Sequence, residues 1–335
     1  MDANAVLEML KQVRKELNLT RGVTPKIIDV HDDIEGNLHI VTSDRSEKSL
    51  FVGPRGRIVA EFAKRLDRHI SIYGQDEILL RNHRLELTKE RIEELLHLVQ
   101  GNQYQVLKTL LRYLQNELNN FDKEIFVPES SVNVGVSFSG GVDSGASLIL
   151  AQRIWLKPTA ITVDPGVRFL APHIKEWIIK WCDEMGIPLK YVDSSNLMDT
   201  ILEKAATGQM HPCNHCHEII MKKARETAKE NGLSTLITGE MLPTGRQSII
   251  IDQEILIINL PAALSLTKHD TRQICSPYDF IGSKGFGCHV VKSAHQKRFG
   301  MVEASIFRVL RELQAGILST GQALAFINKI LRESS

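Results

Sequence analysis

One short run, Ser139-Gly140-Gly141-Val142-Asp143-Ser144, constrains this chain more than any other. It follows an apolar, β-branched stretch (Val132, Val134, Val136) and precedes Gly145-Ala146-Ser147-Leu148-Ile149-Leu150, which can enter a helix. A strand, a glycine turn and a helix start together suit a phosphate. Glycines let backbone amides approach it, and the helix start offers oriented N–H groups and the favourable end of its dipole. Ser139 and Ser144 add hydroxyl donors. Asp143 is not drawn to phosphate; it can orient the loop, accept backbone hydrogen bonds or ligate Mg2+. A tight turn with a serine-rich cap is the plainer use of the same residues. The spacing is neither that of a Walker A loop nor that of a dinucleotide loop.

The rest of the chain fits a sheet around that loop. Apolar runs at 159–163, 189–192, 233–238 and 249–258 alternate with helix-forming stretches, which predicts an α/β sheet covered by helices. This large domain is expected over 125–295, with a helical extension over 296–335. Residues 1–95 change pattern several times. They read as a helix at 5–17, short strands at 26–30 and 38–41 around a turn at 35–37, a helix at 58–69, and a final strand within 77–87. Between the two regions, 96–124 reads as a helical connector. Its Leu96, Val99, Val106, Leu107, Leu110, Leu111 and Leu114 offer an apolar face for packing or for a homodimer.

With 43% hydrophobic and 24% charged residues over 335, the chain has the makings of folded domains. A net charge of +1 gives no argument for nucleic acid, although a local basic surface remains open. No signal-like or membrane-spanning apolar run stands out, so no membrane partner and a cytoplasmic location are expected.

All five cysteines, Cys182, Cys213, Cys216, Cys275 and Cys288, lie in the second half. An odd number in a large chain does not read as a disulfide framework. Cys213 and Cys216, in Pro212-Cys213-Asn214-His215-Cys216-His217, can share one metal centre or act as a redox dithiol. Cys275 and Cys288 can each return to that pair; Cys182 follows Trp181 on an apolar helix and reads as core.

Three resemblances sharpen the reading. Residues 139–144 resemble the PP-loop of the adenine-nucleotide α-hydrolase-like ATP pyrophosphatases, a likeness extending over about 130–290. It implies an open, mostly parallel sheet and ATP with Mg2+ held by Ser139, Gly140, Gly141, Val142, Asp143 and Ser144. Asp164, ending Val163-Asp164-Pro165-Gly166, would contact adenosine or cap its own loop. Thr238-Gly239-Glu240 is similar to the later Thr-Gly-acidic element, so Gly239 and Glu240 would face the nucleotide. Met241-Leu242-Pro243 departs from the Asp-Asp pair of many tRNA-modifying relatives. Val142 replaces the lysine of several others.

The stretch 52–59, with Gly53-Pro54-Arg55-Gly56-Arg57, resembles the Gly-x-x-Gly clamp of a KH domain, implying a small KH-like α/β domain that holds single-stranded RNA. Gly53, Arg55, Gly56 and Arg57 are its candidate RNA-binding residues. Finally, Cys213-Asn214-His215-Cys216, followed by Lys222, Lys223 and Arg225, resembles the cysteine helix of iron-sulfur-dependent tRNA thiolation enzymes. That resemblance implies a 4Fe-4S cluster on Cys213, Cys216 and a distant cysteine, Cys288 or alternatively Cys275. It implies catalytic roles for Asp143 and the three cysteines, RNA contacts by Lys222, Lys223 and Arg225, and sulfide or a sulfur-donor protein as a partner beside tRNA. The expected reaction is adenylation of a base carbonyl followed by replacement of its oxygen with sulfur. The alternatives are another PP-loop synthetase or amidotransferase, and a non-enzymatic RNA-binding iron-sulfur protein.

Overall fold

The computed structural model describes residues 1–19, 23–32, 36–118, 131–154, 156–281 and 287–334. Among these, residues 1–83 form one compact unit, and 84–118 with 131–334 form a second. The start of the expected turn at 35–37 and residues 119–124 of the expected connector lie outside the described residues.

In the first unit, helix Ala3–Glu16 precedes strands β1 (Ile27–Asp32) and β2 (Leu38–Thr42). Helices Arg45–Val52 and Arg57–Leu66 then flank a turn at Pro54–Gly56, and β3 (Ile70–Gly74) follows. Strand β2 is central, antiparallel to β1 and parallel to β3. Val6, Leu10 and Val13 recur at helical spacing and pack with Leu38, Ile40, Phe51, Ile58, Phe62 and Ile70. At the turn Gly53 has φ +69°, and a Cβ there would lie 2.5 Å from Ile58 Cγ1. The last strand is not within 77–87. Ile70-Ser71-Ile72-Tyr73 supplies the period-two alternation, whereas Asp76 and Glu77 start the helix Gln75–Leu96, where their charge suits the dipole.

The second unit is a mixed α/β fold on a six-stranded sheet. It contains β4 (Asn133–Ser137), β5 (Lys157–Asp164), β6 (Leu189–Asp193), β7 (Thr235–Thr238), β8 (Ile249–Asp252) and β9 (Ile255–Asn259). The spatial order is β6-β5-β4-β7-β9-β8. All neighbours are parallel except the edge pair β8/β9. The expected single run at 249–258 is thus a hairpin, because Gln253 and Glu254 both take left-handed backbone (φ 49° and 71°) and reverse the chain.

Alternate residues of the strands face opposite ways. Val134, Val136, Ala160, Ile237, Leu256 and Ile258 join helices Val142–Arg153, Pro172–Glu184 and Gly101–Leu118 in the main core. Ile161, Val163, Leu236, Ile255 and Ile257 meet helix Pro212–Glu230 on the other face. Residues 101–118, read as a connector, bury Val106, Leu107, Leu110 and Leu114 in this core. At the C-terminus, helices Phe299–Gln314 and Thr320–Ser334 reverse at Gly316 (φ +73°) and share Val302, Val309, Leu318, Ala323 and Ile330. Among the described residues no helix is long and apolar enough to cross a membrane.

Strand order reverses direction at β4. From there the chain goes outward to β5 and β6, then returns to β7 on the other side. In such sheets the crevice at the carboxyl ends of the two strands flanking the reversal is where ligands bind.

Candidate functional site

The carboxyl ends of β4 and β7 carry Ser139–Ser144 and Gly239-Glu240. Helix Val142–Arg153 starts at Gly141, and no side-chain hydrogen bond caps it. Its first-turn amides therefore remain available to an anion. Gly140 has φ +74°, and a Cβ there would meet Ile178 Cδ1 at 2.9 Å, so both conformation and space require glycine. Ser144 is buried; its Oγ accepts from Ser139 N at 3.3 Å and donates to Gly141 O at 3.0 Å. Ser139 Oγ lies 3.2 Å from it and is exposed. Behind the loop Phe138, Trp177, Trp181 and Phe280 pack ring against ring. A Cβ on Gly145 would lie 2.3 Å from the Phe280 ring. This aromatic bed fixes the loop, and nothing in the local sequence announces it.

Asp143 is held from outside the loop. Lys268 forms an ion pair with its Oδ2, and Thr271 Oγ1 donates to Oδ1 at 3.1 Å. Both come from helix Lys268–Cys275, whose start is fixed by a reciprocal Thr267/Asp270 capping box. Val142 is half-buried, and its carbonyl accepts from Cys275 Sγ at 3.4 Å.

Gly239 packs directly on the loop: a Cβ there would lie 2.7 Å from Ser144 N and 2.9 Å from Ser144 Cα. Ser147 Oγ joins the same two segments, donating to Asp143 O at 2.9 Å and Thr238 O at 3.0 Å. Glu240 is exposed at this junction, with Oε1 3.8 Å from His217 Nδ1. Asp164, at the end of β5, spends its carboxylate locally. Oδ1 accepts from Gly166 N at 2.8 Å, while Oδ2 takes the Tyr191 hydroxyl and lies 3.4 Å from Lys175 Nζ. Burial first, then that carboxylate, pushes the Tyr191 phenol well above its usual range.

The cysteine helix Pro212–Glu230 begins with proline at its first position and His211 as N-cap, Nδ1 accepting from Cys213 N at 3.5 Å. Cys213 and Cys216 stand one turn apart and are half-buried. Cys288 precedes helix His289–His295, which packs on the cysteine helix. Burial raises Cys216 to about 12, and Cys288 and Cys213 add to the shift. Burial also raises Cys213, with Cys288 adding and Arg308 opposing. Cys275 lies elsewhere: it is buried against Val142, beside Asp143 and Arg153, and its thiol is pushed up to about 12 chiefly by that burial. Cys182 is core, likewise raised to about 12 by burial.

Among the described residues no three His, Cys, Asp or Glu side chains converge closely enough for a single metal ion. Cys213, Cys216 and Cys288 are all free thiols, the donor type shared by iron-sulfur clusters and zinc.

One group at this site has no local sequence signal: Ser305 Oγ, on helix Phe299–Gln314, meets His211 Nε2 at 3.0 Å and His295 Nε2 at 2.7 Å. The basic residues farther along the cysteine helix are differently placed. Lys223 pairs with Glu226 at 2.7 Å, Arg225 pairs with Asp252, and Lys222 is exposed. In the first unit Arg55 and Arg57 are exposed; Arg55 has left-handed backbone between Gly53 and Gly56.

No family model matches the chain. One uncharacterised protein of Methanocaldococcus jannaschii is 27% identical over 225 residues, covering 67% of this chain and 84% of that protein. Another from the same organism is 24% identical over 204 residues, covering 58% and 72%. Among solved structures, the U34-tRNA thiolase NcsA from Methanococcus maripaludis with its 4Fe-4S cluster is similar at a TM-score of 0.40 and 17% identity, covering 69% of this chain and 79% of that one. A likeness that loose carries no functional argument.

Proposed function

We propose that this chain is an ATP-dependent RNA sulfurtransferase of the PP-loop type, with tRNA as its substrate. One observation carries the reading: Glu240 joins the two halves of the chemistry. Through Gly239 it rides on Asp143 and Ser144 of the phosphate loop, and it lies 3.8 Å from His217, next in sequence to Cys216.

The uncapped helix start at Val142, with Ser139, Gly140, Gly141 and Ser144, holds the triphosphate of ATP. Lys268, oriented by Asp143, adds a cation where charge develops as pyrophosphate leaves. Asp143 has both oxygens engaged, so Glu240 is the carboxylate better suited to Mg2+. The carbonyl oxygen of the RNA base attacks the α-phosphorus; the bond to the β-phosphate oxygen breaks and pyrophosphate leaves. Hydrosulfide then attacks the activated carbon, the carbon–oxygen bond breaks, AMP departs with the base oxygen, and the proton goes to solvent. A 4Fe-4S cluster on Cys213, Cys216 and Cys288, when bound, leaves one iron without a cysteine and so supplies a place for sulfide beside the adenylate.

The first unit, with its exposed Arg55 and Arg57 around Gly53 and Gly56, is proposed as a KH-like RNA clamp. Lys222 is the exposed member of the basic trio on the cysteine helix and the one free to meet a phosphate.

The test is turnover by anaerobically reconstituted protein with an RNA pool, ATP and sulfide. One AMP and one pyrophosphate should appear per sulfurated nucleoside. ATP consumption that needs a small acid or ammonia and ignores RNA would overturn the reading.

A further inference from the structure

The C-terminal extension is basic in a chain that is near neutral. Residues 296–335 hold six lysines and arginines against three glutamates, a net +3 where the whole chain carries +1. Two contacts seat this extension beside the start of the cysteine helix. Ser305 Oγ meets His211 Nε2 at 3.0 Å, and Lys297 backs onto Gly208, where an added Cβ would lie 3.1 Å from the lysine Cβ. Helix Phe299–Gln314 buries Val302, Ser305, Val309 and Glu312 on one face. Its opposite face, with Ala304, Phe307 and Arg311 at i, i+3 and i+7, is exposed. Phe299 and Phe307 are 66% and 64% exposed, so neither ring is spent on the core. Lys297, Arg298 and Arg311 are exposed too, and among the described residues no ion pair joins any of them to a carboxylate. The same helix exposes one carboxylate, Glu303.

We infer that this face of helix Phe299–Gln314, with Lys297 and Arg298 leading into it, is an RNA-binding surface that runs up to the cysteine site. Charge chooses the occupant. Cations interleaved with exposed rings match a polymer that alternates phosphates with flat bases: Lys297, Arg298 and Arg311 take the phosphates, while Phe299 and Phe307 offer faces on which bases stack. A second copy of the chain docked here would bury those three cations against a face with one carboxylate to meet them, a costly arrangement. The surface ends where Ser305 meets His211, two residues from Cys213, so a strand lying on it passes the thiols. The identity of the RNA rests on the proposed sulfur transfer to tRNA, whereas the surface itself is a property of the chain alone.

The experiment titrates a fluorescent, unmodified tRNA transcript with the full chain between about 50 and 200 mM salt. R298Q/R311Q should weaken binding about tenfold at the lower salt and reduce the slope of log affinity against log salt by about 1–2. F299A/F307A should weaken binding about fivefold or more with the slope unchanged, because stacking carries no charge. K157Q, which alters an exposed lysine at the amino end of β5, should do neither. Every substituted side chain is exposed, so melting midpoints should stay near the wild-type value. Wild-type affinity and slope in R298Q/R311Q would overturn the surface even if the protein makes sulfurated nucleoside. Unchanged tRNA affinity in F299A/F307A, with a wild-type dimer falling to monomers, would assign the face to a second copy and overturn it as well. Wild-type protein that binds tRNA through these residues yet makes no sulfurated nucleoside refutes the sulfur-transfer reading and leaves the surface standing.

Discussion

Lys268 holds Asp143 in an ion pair across 125 residues of chain. Thr271, one turn further along the same helix, donates to the other carboxylate oxygen at 3.1 Å. The loop aspartate thus anchors a cation, which in the proposed reaction is the group that meets phosphate. Lys268→Met should lower ATP-dependent pyrophosphate release about 100-fold, the usual scale for losing one transition-state donor. The pair is partly exposed, so its loss should shift the melting midpoint little. Release rates near wild type would remove Lys268 from the reaction.

Gly239 offers a steric test. An alanine methyl there would lie 2.7 Å from Ser144 N and 2.9 Å from Ser144 Cα, backbone atoms that cannot rotate away. Gly239→Ala should cost about 1–3 kcal/mol of stability and abolish pyrophosphate release as the loop shifts. Gly321→Ala, with nothing within 4 Å on a helix, serves as control and should be neutral or slightly stabilising. Urea unfolding of both variants checks this.

Features legible in the sequence were those whose chemistry is contiguous. The phosphate loop, the Cys213/Cys216 turn and Thr238-Gly239-Glu240 each declare themselves within six residues. What escaped depends on distant partners. Ser305 looks like an ordinary helix serine until it meets His211, the cap of the cysteine helix. The bed of Phe138, Trp177, Trp181 and Phe280 gathers residues from three parts of the chain. Local signals also misled. The apolar Ile78-Leu79-Leu80 invited a strand, yet Asp76 and Glu77 begin a helix there. The apolar run at 249–258 concealed a reversal at Gln253-Glu254, where neither residue is glycine. The glycine-rich neighbourhood of Cys288 favours it over Cys275 as the proposed third ligand, and the burial of Cys275 beneath Val142 supports the same choice.

That separation is measurable. After anaerobic reconstitution, Cys288→Ser should lose most bound iron and acid-labile sulfide, as should Cys213→Ser and Cys216→Ser. Cys275→Ser should keep both while destabilising the fold modestly, since it loses only a buried thiol's packing. Iron loss in Cys275→Ser with retention in Cys288→Ser would reverse the ligand assignment.

His295 gives the fold a pH dependence. It is buried, Nε2 bonded to Ser305, and burial lowers its pKa below 6.5 against the opposing pull of Glu333. Glu333 is itself paired with Lys292 and Lys329, and the His211 ring lies 6.4 Å away. The folded protein therefore binds fewer protons than the unfolded chain once pH drops below about 6.5, and stability declines from there through the lower folded pKa. His295→Gln should flatten the decline in unfolding free energy below that pH, leaving the share due to His211, which burial also lowers. An unchanged slope would place the titration elsewhere.

Nucleoside mass spectrometry of RNA after anaerobic turnover tests most directly whether one site activates an RNA base with ATP and delivers sulfur to it. The expected product is a nucleoside heavier by one oxygen-to-sulfur exchange. It should appear only with ATP and sulfide, and be absent in Cys213→Ser and in Gly239→Ala. RNA that stays unmodified while wild-type protein, fully loaded with iron and sulfide, turns ATP over would contradict it.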